Sequence, residues 1–142
     1  MVKNYHAEII NMSLLDPEII NRYQIVDTKK RFCGLIKIFT ISVPENEMED
    51  IAKLFQKNLS TKFGKEWYIT FHNDEKVMVV FRKRIFKLSG TGIAPVHQKK
   101  LDTSHAVERD KWDEMIQYAK SLGVPDNQCD FLPEDFRKRE YC

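Results

Sequence analysis

The spacing of apolar positions changes along the chain, and each change marks an element. Met48, Ile51, Ala52, Phe55 and Leu59 recur at helical intervals and form one continuous stripe. Pro44 opens that segment. Glu45, Glu47, Glu49 and Asp50 fill its first turns, and Lys53, Lys57 and Lys62 follow, a gradient matching the helix dipole at both ends. A helix over 45–60 is predicted, broken at Gly64. Residues 35–43, LIKIFTISV, lack helical periodicity and are rich in β-branched side chains with apolar groups on both faces. They predict a central strand buried on two sides. Residues 67–88, WYITFHNDEKVMVVFRKRIFKL, read as two strand arms around Asn73-Asp74-Glu75-Lys76, a four-residue hairpin loop started by the Asn73 or Asp74 side chain.

The flanks read less sharply. Residues 5–12 predict a first strand. Asp16-Pro17-Glu18 opens a short helix to about residue 24: Asp16 caps, Pro17 sits where no N–H is needed, and Glu18 meets the positive dipole end. Residues 25–31 could extend that helix or form a short strand, and an irregular connection is the preferred reading. Residues 89–103, SGTGIAPVHQKKLDT, hold two glycines and a proline and predict a long functional or mobile loop. Thr103 or Ser104 then caps a last helix with the stripe Trp112, Met115, Ile116, Ala119 and Leu122, ended by Gly123 and Pro125. The tail from residue 126 is expected to lie against the body, with 137–142 frayed. The order β-α-β-α-β-β-α predicts a single α+β domain over 1–142, a mixed four-stranded sheet with helices packed on it. Strand 35–43 would run parallel to 67–72 through a right-handed crossover, 77–88 would be one antiparallel arm, and both early helices would cover one face.

Length and charge narrow the classes. A chain of 142 residues buries enough surface for one unaided core. A net charge of +2 is too small to imply a nucleic-acid or membrane partner. Residues 105–142 hold six Lys and Arg against nine Asp and Glu, net −3, whereas the preceding residues carry 17 against 12, net +5. An acidic tail after a basic body suits intramolecular complementarity. The three cysteines, Cys33, Cys129 and Cys142, form no CxxC pair, and the start MVKNYHAEII has no apolar leader core. A reducing, cytoplasmic setting is expected, with no membrane span.

Candidate chemistry is sparse. His6, His72, His97 and His105 show no metal-ligand spacing, so no metal and no cofactor is expected. His72 beside Asp74 and Glu75 could act as a general base, with His97 from the long loop as a partner; the plainer reading is a surface histidine at a strand end. Cys33 lacks a base and is read as a buried structural thiol. Gly90-Thr91-Gly92 hints at a phosphate cradle without the full motif, and loop flexibility explains it better. Arg82, Lys83, Arg84 and Lys87, near Trp67, Tyr68, Phe81 and Phe86, could hold single-stranded nucleic acid, but alternation splits the charges between faces, and cations on an edge strand also guard against aggregation. Trp67, Tyr68, Trp112 and Phe136 are read as core rather than as a pocket lining.

The opening NYHAEIINMSLLDPEIINRY, the hairpin WYITFHNDEKVMVVF and the ending W(x)5YAKSLGVPDNQCDF resemble small bacterial proteins of no assigned function. The resemblance covers most of the chain, implies a free-standing cytoplasmic domain and carries no catalytic residues. Three functional classes follow. The first is a non-enzymatic binding or regulatory module, with an exposed strand edge as a route to homo-oligomers. The others are a small-ligand or hydrolytic enzyme near His72 and the 89–103 loop, and a weak nucleic-acid binder through Arg82, Lys83, Arg84 and Lys87.

Overall fold

The computed structural model describes residues 4–96, 100–124 and 131. Alternating side chains build its main surface. In β1 (Asn4–Ile10), Tyr5, Ala7 and Ile9 are buried on one face, and β1 lies at the centre of an antiparallel sheet. Around it are β2 (Gln24–Arg31), β3 (Ile36–Pro44), β4 (Tyr68–His72), β5 (Lys76–Phe81) and β6 (Ile85–Ser89), in the spatial order β2-β3-β1-β4-β5-β6. The sheet therefore has six strands, not four, and every pairing in it is antiparallel. The expected parallel contact between β3 and β4 is absent because β1 inserts between them. The crossover through α1 (Met48–Lys57) spans a gap one strand wide, and β1 has the alternation to fill it.

Two further expectations change. Residues 24–31 are a strand, the alternative set behind an irregular connection: β2 is an outer edge exposed along nearly its whole length, so no apolar alternation announces it. The arm over 77–88 is two strands, because Arg82-Lys83-Arg84 is a turn closed by Phe81 N–H to Arg84 O at 2.8 Å. Three consecutive charged residues resist a strand buried on both faces. That two-sided strand is β5, whose Val77 to Phe81 are all buried, rather than β3.

The helical segments shorten. Pro17–Arg22 is a 3-10 helix capped by Asp16, whose Oδ1 accepts from Glu18 N–H at 3.1 Å. Glu45–Glu47 is a 3-10 turn leading into α1. The last helix, α2 (Arg109–Ser121), starts several residues beyond Ser104, which bonds the Asp102 carboxylate instead. The 89–103 stretch is not one open loop. It holds the short hairpin of β7 (Ala94–Val96) and β8 (Lys100–Asp102), and Gly90 N–H bonds Glu75 O at 2.7 Å. The hairpin loop after β4 forms as expected, with Asn73 Oδ1 accepting from the N–H groups of Glu75 and Lys76.

Two cores sandwich the sheet. Under α1, Phe55 and Ile51 meet Ala7, Ile41, Val43, Phe71 and Val80, joined by Ile19 and Ile20 of the 3-10 helix. Under α2, Trp112, Met115 and Ala119 meet Val77, Val79, Phe81 and Phe86. No described helix is long and apolar enough to cross a membrane. The registers place Ile10, Arg31, Ile36, Tyr68, Phe81 and Ile85 at one end of the sheet, here the hairpin end, and Gln24, Pro44, His72, Lys76 and Ser89 at the other.

Candidate interaction surface

The β2–β3 hairpin is closed by the Arg31–Ile36 pair. Its turn runs through three successive residues with positive φ, Phe32 at 53°, Cys33 at 56° and Gly34 at 88°. Gly34 N–H bonds Arg31 O at 3.2 Å, so Phe32 and Cys33 occupy the two central turn positions that normally take Asn and Gly. A side chain held in that region costs about 1–2 kcal/mol. The strain puts two large apolar groups into solvent: Phe32 is 73% exposed and Leu35 71%. Behind them, alternation sets Lys29 and Arg31 on one face of the ribbon and Lys30 and Lys37 on the other, the last two directly opposed. Like charges in that relation repel. None of the four makes an ion pair among the described residues.

A second projection stands at the same end. Phe63, with φ 62° and 73% exposure, lies in the short turn Lys62–Gly64. The turn is pinned by Trp67 Nε1–H to Lys62 O at 3.1 Å, and the Lys65 ammonium sits 5.6 Å from the Trp67 ring centre. The bridge between Leu14 and Leu59 brings exposed Leu15 beside the foot of α1. Among the described residues six large apolar side chains are strongly exposed, and four of them, Leu15, Phe32, Leu35 and Phe63, are at the hairpin end. Among the described residues carboxylates there are few: Asp16 caps its helix, Glu66 is paired with Arg82 and Glu114 with Arg84. Six strands at about 4.8 Å spacing make this end about 25 Å wide.

The basic run seen in the sequence behaves differently. Arg82 grips both oxygens of Glu66, at 2.8 and 3.2 Å, and this holds the Glu66 carboxyl below the usual range. Arg84 bonds Glu114 at 2.6 Å and lies over the Phe86 ring, while Lys87 bonds Glu49. Lys83 alone of the four makes no ion pair among the described residues.

The residues of the hydrolytic reading differ in burial. His72 is buried, not a surface residue, and pairs in register with His6 of β1; Ser42 of β3 occupies the next place in that row. Asp74 and Glu75 are exposed in the turn. Glu75 lines an open groove of about 880 Å³ with Glu45, Glu49, Lys76, Lys87 and Glu108, and His72 is not part of its wall. Lysines there are matched to carboxylates: Lys76 to Glu45 at 3.3 Å, Lys111 to Glu108 at 2.8 Å. His97 lies outside the described residues. Among them, no three His, Cys, Asp or Glu side chains are grouped to hold a metal.

Gly92 serves packing. A Cβ on Gly92 would stand 2.0 Å from the His105 carbonyl oxygen. Cys33 is exposed, not a buried thiol, whereas Trp112 is core as expected, and Cys129, Cys142 and Phe136 lie outside the described residues.

The strongest surface was therefore missed in the sequence. Lys29-Lys30-Arg31-Phe32 was legible as three cations meeting an aromatic, but reading 25–31 as a connection hid its place on a projecting hairpin. No family model, curated protein or solved structure matches the chain, so the functional reading rests on this geometry.

Proposed function

We propose that the protein is a non-enzymatic binding module that engages an anionic partner through the hairpin end of its sheet. One observation carries this: unpaired cations Lys29, Lys30, Arg31 and Lys37 surround apolar tips held outward in a strained turn. Backbone strain and like-charge opposition lower stability, so an arrangement combining both is expected where a partner compensates them. Retention on immobilised heparin tests it. The protein should elute later than its net charge of +2 warrants. The variant Lys29→Glu/Lys30→Glu/Arg31→Glu should lose that retention, whereas Arg82→Gln and Lys87→Gln, already neutralised by partners, should elute close to the parent. Equal losses from both sets would reject the hairpin as the recognition element.

A hydrolytic reading keeps one observation in its favour: Ser42, His6 and His72 stand side by side on three adjacent strands. Turnover of p-nitrophenyl acetate above that of free imidazole, abolished in His72→Ala, is its test. Self-association through β2 draws on the seven exposed residues of that eight-residue edge, although its bulge at Ile25–Asp27 and its three consecutive cations are devices that discourage edge pairing. Light scattering decides it: a strict monomer removes the idea.

A further inference from the structure

We propose that the anionic partner is a lipid bilayer, met end-on, with Phe32, Leu35 and Phe63 entering the boundary between headgroups and acyl chains. This rests on the binding reading above and names its partner class. The apolar groups stand on the tips of two separate loops rather than in a groove, so they fit a soft planar surface that admits projections. The cations form a collar one step behind the tips. Lys29 and Arg31 lie on one face of the ribbon and Lys30 and Lys37 on the other, and Lys62 and Lys65 flank Phe63. A collar on all sides matches headgroup phosphates spread across a plane.

A nucleic-acid strand would favour the opposite layout, with cations along one face and several aromatics stacked in a row on it. Here the face under α1 is filled by the core, and the flat aromatic Trp67 is already covered by Lys65. A protein partner would ask for a concave or continuous apolar patch, and the tips of this end stand on separate loops, attached to strands that span about 14 Å from β2 to β4. The rest of the charge map agrees. The opposite end sets five carboxylates, Glu45, Glu49, Asp50, Glu75 and Glu108, against three lysines, Lys76, Lys87 and Lys111, around its groove, so a modest net negative charge there faces the cations of the hairpin end. An anionic surface would orient it hairpin first before contact.

Binding of the full chain to sedimented vesicles tests the proposal, comparing pure phosphatidylcholine with phosphatidylcholine containing about 30% phosphatidylserine. Binding is expected only to the anionic vesicles and should weaken with salt. Each cation removed from the hairpin should weaken it about fivefold. The variant Phe32→Ser/Leu35→Ser/Phe63→Ser should weaken it at least tenfold while keeping its heparin retention, since the charges are intact. Cys33 supplies a direct readout at the tip, because it is exposed there. With Cys129 and Cys142 replaced by serine, an environment-sensitive dye on Cys33 should brighten and shift to the blue with anionic vesicles.

Binding with a silent Cys33 dye would overturn end-on insertion. Heparin retention without vesicle binding, or a tighter hold on single-stranded oligonucleotide than on vesicles, would overturn the bilayer and leave the anion-binding module standing. Loss of both would sink both. Circular dichroism of each variant against the parent separates lost binding from lost folding.

Discussion

Replacing Trp112 by Phe probes how α2 is fastened to the sheet. Trp112 is fully buried, and its Nε1–H donates to Ser89 O at 2.8 Å, at the last residue of edge strand β6. The Glu108 carboxylate accepts from Ser89 N–H at 2.6 Å, so both backbone groups of one residue are held from the start of α2. Phe removes the donor and leaves the Ser89 carbonyl short of a bond, about 1 kcal/mol where the residue is partly wet. The smaller ring opens roughly 40 Å³, which at about 24 cal/mol per Å³ adds about 1 kcal/mol. Lost apolar burial contributes about 1 kcal/mol more. The sum, about 3 kcal/mol, is a large part of a stability of about 5–15 kcal/mol and corresponds to a fall of roughly 10 °C in Tm for a chain of this size. Urea unfolding followed by far-ultraviolet circular dichroism measures it. A double-mutant cycle with Glu108→Gln should show coupling of about 0.5–1 kcal/mol, because both side chains hold the same residue. A loss under about 1 kcal/mol, or strict additivity, would refute the clamp.

Other expectations follow from the same geometry. Gly92→Ala should cost at least about 3 kcal/mol, because a positive φ of 83° combines with a Cβ 2.0 Å from a backbone oxygen, while Gly123→Ala, with open space around it, should lose only about 1 kcal/mol; urea midpoints compare them directly. Cys33→Gly should raise stability by up to about 1 kcal/mol, since glycine relieves the φ of 56° at an exposed site, and a lower Tm would contradict the strain ascribed to that turn. Glu66 and Glu108 are held below their ordinary value of 4.5, the first by its Arg82 hydrogen bond, the second by Lys111 and then by Ser89 N–H. A depressed carboxyl stabilises the fold above its unfolded value, so stability should be full above about pH 4.5 and decline as pH falls through the lower folded values. Unfolding midpoints from pH 7 to 3 record this, and Glu108→Gln should flatten the decline.

The elements legible in the chain were those whose signal is local. The Met48–Leu59 stripe, the Asn73 turn and the Trp112 stripe each follow from spacing within a few residues, and each is present. The strand pairing was not legible, because β1 reaches its partners β3 and β4 across tens of residues and neither contact leaves a mark in adjacent positions. β2 was lost for a related reason. An edge strand wet on both faces has the composition of a loop.

The same division holds for the surface. Composition determined that the chain carries almost no net charge, and periodicity determined which residues enter the two cores. Only the tertiary structure decided which cations remain unmatched. It brings Glu66 to Arg82, Glu114 to Arg84 and Glu49 to Lys87, while Lys29, Lys30, Arg31 and Lys37 are carried to the far edge of the sheet beside Phe32. Pairing depends on distances of a few ångströms between residues remote in sequence, and those distances exist only once the sheet has closed around β1.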